Sequence, residues 1–208
     1  MTTYSNIYND RATDYFKQYE SLRFEDVHKT IMEYFPEEPG LVLDVGAGSG
    51  RDAAWFAAKG LVVYSVEPAE ELRKHAIAKH TSPNIKWIDD SLPSLNAIHH
   101  LGVSFDFILM SAVWMHVPEI QRDQAFTRLI SLLKPGGNIA ISLRLGPIDH
   151  VRQMYPVSVA ELKSLATRNG ANIIKEVHSE DVLGRKEISW VEVVIGLTAG
   201  RVGTSICK

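Results

Sequence analysis

Residues 41–52 read Leu41-Val42-Leu43-Asp44-Val45-Gly46-Ala47-Gly48-Ser49-Gly50-Arg51-Asp52. A short apolar run meets three glycines at alternating positions, and an Ala-rich, helix-favouring stretch (residues 51–59) follows, closed by Gly60. The run reads as a strand buried on both faces. A strand, a glycine turn and a helix put any ligand at the C-terminal end of a sheet. The glycines remove every other side chain from the turn, so a ligand can pack on the backbone. A dinucleotide fingerprint, G-x-G-x-x-G, would need glycine at 51, where this chain has Arg51. The loop therefore suits close approach but matches pyrophosphate poorly, and a nicotinamide-dependent oxidoreductase is disfavoured.

Outward from the loop, strand and helix alternate. Leu61 to Val66 reads as a second buried strand ending at Glu67-Pro68, residues 69–80 as a helix, and Ile85 to Ile88 as a third strand before Asp89-Asp90. Phe105 to Met110 is a fourth strand, residues 119–133 an amphipathic helix, and Ile139 to Leu143 a fifth strand. Residues 158–168 form a helix with Ser158 as N-cap and Glu161 three residues on. Ala171 to Val177 and Ile188 to Ile195 are two further strands with no helix between them, an expected antiparallel pair at one edge. Residues 5–35 read as helical with a break near Ser21. The expectation is one α/β domain over residues 1–196: a Rossmann-like, doubly wound sheet of about seven strands, mostly parallel, with helices on both faces. Residues 197–208 lose the apolar pattern and read as a mobile tail.

Composition agrees with this class. The chain has 208 residues, 45% hydrophobic and 23% charged, which suits one core. Its formal net charge of -3 supplies no electrostatic reason to expect nucleic acid or an anionic membrane. The single cysteine, Cys207, rules out a disulfide framework within the chain and argues against a cysteine-based metal site. The polar N-terminus lacks a signal-peptide h-region, and no apolar run approaches the ~18 to 20 residues of a membrane helix. The expected setting is the cytoplasm.

Two acidic positions extend the ligand argument. Glu67 ends the second strand, 17 residues after Gly50, where a carboxylate can accept from both hydroxyls of a ribose. Asp89-Asp90, after the third strand, can accept from an adenine amino group, and Asp90 is favoured because Asp89 suits the turn. Each also has a plain reading as a solvated or turn-forming acid.

LDVGAGSG, then VEP, the DDSLP turn, FDFILMSAVWMHV and LLKPGGNIAISL, in this order over about residues 40–145, resemble the class I S-adenosylmethionine-dependent methyltransferases. The resemblance implies S-adenosylmethionine as cofactor and S-adenosylhomocysteine as product. By position, Gly46, Ala47 and Gly48 correspond to the floor under the methionine part, and Glu67, with Pro68, to the ribose ligand. Asp90 and Ser91 correspond to the adenine edge, Met110 and Ser111 to the wall beside the sulfonium, and Asp44 to a support for the glycine loop. The helical segment carrying Tyr8, Tyr15 and Tyr19 resembles the lid of such proteins, although a tyrosine stripe is also ordinary core packing. Arg51 either pairs with the cofactor carboxylate or caps the loop.

Methyl transfer is an in-line displacement at a carbon already activated by a sulfonium, so alignment and dryness matter most, and a base is needed only for acceptors that lose a proton first. Acceptor-side candidates are Trp114 as an apolar or cation-π wall, His116 as a general base or a structural histidine, and Arg144 as an anion ligand or a surface ion-pair partner. Arg144 to Val157 is long for a connection and reads as a flap. Residues 110–114 lack the (N/D)PP(Y/F) motif of amino-methylating nucleic-acid enzymes, and one cysteine does not suit thiol-mediated arsenic methylation. A small-molecule O or N nucleophile is the leading expectation. The competing ones are a tRNA or protein acceptor and a cofactor-binding sensor without turnover.

Overall fold

The computed structural model describes residues 3–198. Seven strands form one sheet: β1 (Leu41–Val45), β2 (Val62–Val66), β3 (Ile85–Ile88), β4 (Phe105–Met110), β5 (Leu133–Leu145), β6 (Ala171–Glu180) and β7 (Ser189–Leu197). Their order is β3-β2-β1-β4-β5-β7-β6. The first five run parallel, while β7 is antiparallel to both β5 and β6. The antiparallel strand thus lies one place in from the edge, which β6 covers. The chain leaves β1 in one direction to β2 and β3, then returns to the other side as β4. This reversal opens a crevice at the C-terminal ends of β1 and β4, the usual ligand position in open α/β sheets.

Helices cover both faces, so the central strands are continuous apolar runs: Val42 and Leu43 are both fully buried although they point to opposite faces. On one face, Leu43, Ile108, Ile141 and Leu143 pack with Phe126 and Leu129 of α7 (Glu119–Leu132) and with Leu162 and Leu165 of α8 (Val159–Arg168). On the other, Val42, Val63, Phe107 and Ala140 pack with Ala53 and Phe56 of α4 (Arg51–Ala58) and with Phe24 of α3 (Phe24–His28). The Ser158 cap forms as expected, its hydroxyl accepting the Glu161 N–H at 3.1 Å.

Several elements differ from the sequence reading, and β6 runs on to Glu180 where Val177 was expected. The N-terminal helical stretch is divided into α1 (Thr3–Asp10), α2 (Ala12–Glu20), α3 and a 3-10 turn at Met32–Tyr34, with breaks at Arg11 and around Ser21. The fifth strand begins at Leu133 rather than Ile139: Phe105 faces Leu133 and Phe107 faces Asn138, so Lys134 to Gly137 form a bulge within it, with Gly136 at φ +80°. A helix that sequence reading missed, α6 (Asn96–His100), follows β3. Strand β7 runs through Leu197, and the Thr198 N–H and hydroxyl both bond to the Gly170 carbonyl. Residues 199–208 of the stretch read as a tail lie outside the described residues. Among the described residues no helix is long and apolar enough to cross a membrane.

Candidate active site

A cavity of about 490 Å³ occupies the crevice above β1 and β4. Its floor is the glycine loop. The Gly46 and Ala47 N–H groups both donate to the Val66 carbonyl, at 2.8 and 2.9 Å, which ties the loop to the end of β2. Gly46 is required by packing: a Cβ there would come within 2.5 Å of the Val113 side chain. Gly48 is left-handed at φ +57°, and its nearest neighbour on the open side is the Tyr19 ring, 3.3 Å from an added Cβ. A side chain at 48 would therefore occupy the space between floor and lid.

Glu67 is buried beside this loop. Its Oε2 accepts the Gly48 N–H at 2.9 Å and its Oε1 the Ala69 N–H at 2.8 Å. Burial pushes its carboxyl above the usual range, against the pull of these two backbone donors. Both oxygens keep lone-pair capacity for further donors. Asp90 also lines the cavity, its Oδ1 taking the Ser91 N–H at 2.8 Å and its Oδ2 the Ile98 N–H at 3.1 Å. It thereby joins the end of β3 to α6. Pro68, Ser91 and Ser111 line the same cavity.

Other sequence candidates lie elsewhere. Asp89 points outward and pairs with Arg73 at 3.1 Å. Met110 is fully buried in the core, away from the cavity lining. Asp44 lies below the loop at 1% exposure, and its Oδ2 is buried without a hydrogen-bond partner among the described residues. Burial, followed by repulsion from Asp52, pushes its carboxyl well above the usual range. Trp114 is not a cavity wall: it is fully buried against Phe126, with Arg122 6.0 Å from its ring. The cause is a sharp turn after β4, where Ala112 takes φ +58° and its N–H donates to Ser142 Oγ at 2.7 Å. This turn sends Trp114 into the core and leaves Val113, Met115 and His116 on the cavity.

His116 sits 7% exposed in the loop after β4, with Nε2 3.0 Å from the Tyr8 hydroxyl. Burial, then the nearby Arg152 charge, pushes its imidazolium down to about 4, so the ring is neutral at pH 7. Burial drives the Tyr8 phenol far up from its ordinary value and that of Tyr19 up to about 12, so both keep their protons. Tyr8 and Tyr19 line the cavity, while Tyr15 is packed between them with ring centroids 4.8 and 5.9 Å away.

A network that sequence reading missed lies under the floor. His28 is fully buried, with Nε2 3.0 Å from Asp52 Oδ2 and Nδ1 3.3 Å from Glu192 Oε1. Asp52 Oδ1 also takes Arg51 Nε at 2.6 Å, and the Thr30 hydroxyl donates to Glu192. Arg51 is thus held by its neighbour and by the Tyr19 carbonyl (3.4 Å) at the cavity edge. Burial alone would lower the His28 imidazolium, but Asp52 and Glu192 raise it to about 9.

A methyltransferase-domain family model matches residues 19–176. The chain belongs to the methyltransferase-domain family. Within this family it is similar to an uncharacterized methyltransferase of Alkaliphilus oremlandii, 28% identical over 141 residues, covering 67% of this chain and 62% of the relative. The chain thus spans less than two thirds of that relative's length. Among solved structures, it resembles the TehB-like SAM-dependent methyltransferase of Corynebacterium glutamicum (TM-score 0.66, 18% identity, 90% of this chain and 98% of that one). It also resembles the 1,6-didemethyltoxoflavin-N1-methyltransferase of Burkholderia thailandensis, solved with 1,6-didemethyltoxoflavin and S-adenosylhomocysteine (TM-score 0.63, 18% identity, 92% and 88%). At such identity these likenesses establish the methyltransferase fold. The cofactor expected from the sequence is the one whose product the second neighbour holds.

Proposed function

We propose that this chain binds S-adenosylmethionine across the glycine loop and passes its methyl group to a small-molecule O or N nucleophile. The observation that carries the reading is a single continuous cavity. Glu67, Asp90, Gly48, Ser111, His116 and Arg144 all line it. Its lining includes two carboxylates, that of buried Glu67 for a ribose and that of half-buried Asp90 for an adenine edge, together with Arg144 and Tyr155 of the flap after β5.

The sulfonium of the cofactor supplies the electrophilic methyl carbon. Glu67 accepts from the ribose hydroxyls with the lone pairs left by its two backbone bonds, and Asp90 accepts from the adenine amino group. Gly48 carries no side chain, so the methionine part can lie on its backbone when the Tyr19 ring, now 3.3 Å from where a Cβ would stand, moves aside. Tyr8 and Tyr19 close the roof and keep water out, which favours an in-line displacement between aligned partners. His116, neutral at pH 7 and bonded to Tyr8, holds the lid against the loop after β4. With a conjugate acid near 4 it is a poor match for a general base working at neutral pH. The reading therefore favours an acceptor that is already nucleophilic, such as a neutral amine, an aromatic nitrogen or an ionised oxygen.

The test is an acceptor screen in which S-adenosylhomocysteine release is measured by coupled assay on S-adenosylmethionine with mixtures of small molecules, tRNA and protein. Turnover confined to a small-molecule pool supports the reading; turnover on the macromolecular pools alone, or on none, rejects it.

A further inference from the structure

Four guanidiniums line the cavity: Arg51, Arg144, Arg152 and Arg185. Three carry a carboxylate. Arg51 is paired with Asp52 at 2.6 Å, Arg152 with Asp149 at 2.8 Å, and Arg185 forks onto both oxygens of Asp181 at 2.9 and 2.6 Å. Arg144 has no carboxylate within ion-pair distance among the described residues. Its Nη1 donates to the Pro147 carbonyl at 2.7 Å, and its Nε is buried with no hydrogen-bond partner. A buried guanidinium N–H left unpaired is costly, and Nη2, neither buried away nor hydrogen-bonded among the described residues, leaves one end of the guanidinium to face a carboxylate.

The position of Arg144 is equally specific. It follows Ser142 by two residues on β5, so both side chains leave the same face of the sheet. Ser142 Oγ holds the Ala112 N–H beside Ser111, next to the methyl end of the proposed cofactor site. Arg144 also borders a second recess of about 200 Å³ beside the main cavity. The rest of that recess is uncharged, made chiefly by Met115, Leu145, Ile148, Met154 and Val157. An apolar cavity of about 150 Å³ is known to accept a benzene ring. Burial and then the Arg152 and Arg185 charges push the Arg144 guanidinium downward, and Asp149 and Asp181 pull it back.

We infer that the acceptor is a small carboxylic acid with an apolar aryl or branched-alkyl body, its carboxylate on the Nη2 end of Arg144 and its body in the recess formed by the flap and the end of β5. This rests on the methyltransferase reading for the word acceptor, but the binding site itself does not.

The test is titration calorimetry with three matched pairs: benzoate and benzamide, 3-phenylpropionate and its amide, isovalerate and its amide. Each is run with and without saturating S-adenosylhomocysteine. At least one acid is expected to bind at least about tenfold more tightly than its amide, the loss of one charge-assisted pair. Arg144→Gln should erase that preference while S-adenosylhomocysteine affinity stays within twofold of wild type, which shows that the variant is folded. Equal binding of acids and amides, no binding of any acid, or an acid preference that survives Arg144→Gln overturns the inference. Failure of S-adenosylhomocysteine to bind rejects the methyltransferase reading instead, and the acid–amide comparison without it still decides the site.

Discussion

The Tyr8 hydroxyl of α1 lies 3.0 Å from Nε2 of His116, 108 residues further along the chain. This contact joins the N-terminal helices to the segment that follows β4, across the top of the cavity. Both groups stay neutral at pH 7, so it is a hydrogen bond between neutral partners and not an ion pair. Tyr8→Phe removes it and leaves the aromatic packing on Tyr15 in place. A stability loss of about 1 kcal/mol is expected, a fall in Tm of roughly 2 to 4 °C for a domain of this size. S-adenosylhomocysteine should also dissociate faster, which stopped-flow fluorescence can follow. A variant with unchanged Tm and unchanged dissociation rate would show that the contact does not hold the lid.

Glu67 organises the loop with two oxygens that, in the proposed function, also serve the ligand. Glu67→Ala should weaken cofactor binding by about 1 to 3 kcal/mol, since the ribose hydroxyls lose a charged acceptor. Glu67→Gln is a sharper probe. Its amide can accept from only one of the Gly48 and Ala69 N–H groups, so the loop should loosen as well. Amide exchange at Gly48, followed by mass spectrometry or NMR, should rise in Glu67→Gln; unaltered protection and affinity would break the assigned pose.

The proposed function lays the cofactor on Gly48. Gly48→Val places a branched side chain at φ +57° and under the Tyr19 ring. Left-handed backbone costs a non-glycine residue about 1 to 2 kcal/mol, which a domain with this much core can absorb. The variant should melt cooperatively by circular dichroism and show no detectable S-adenosylhomocysteine binding. Retained affinity would mean that the cofactor does not lie on Gly48.

The His28 network predicts a pH dependence with a definite sign. The folded-state imidazolium stands at about 9, above an unfolded value near 6.5. Its contribution is therefore fully present below about pH 6.5 and is lost as pH rises through 9, and it amounts to on the order of 3 kcal/mol. The groups facing it are Asp52 of α4, Glu192 of β7 and the rings of Phe24 and Phe35. Urea denaturation at pH 6.5 and pH 9 should show wild type losing stability over this interval. His28→Gln should be less stable at pH 6.5 and nearly flat across it; a wild type that is itself flat would mean that His28 is neutral in the folded protein.

What could be read from sequence divides along chain distance. The strand-loop-helix at residues 41–58 and the positions of Glu67 and Asp90 on the cavity, with Asp89 turned to Arg73, were legible because each is decided within a few residues of a strand end. Trp114 was misjudged because the turn at Ala112, which decides which of residues 113–116 faces the cavity, is set by a bond to Ser142 on the neighbouring strand. The His28 network joins residues 24 and 164 positions apart, and no local spacing announces it. The unpaired state of Arg144 likewise needed the structure, since only the placement of Asp52, Asp149 and Asp181 on the other three cavity arginines shows which guanidinium has no carboxylate.

The central claim is that this cavity holds S-adenosylmethionine, and calorimetric titration of the protein with S-adenosylmethionine, S-adenosylhomocysteine and NADH tests it most directly. The account predicts micromolar binding of the first two, at one site per chain and weakened in Glu67→Ala, with no heat from NADH. Absence of binding by either sulfur compound, or binding of NADH in their place, would contradict it.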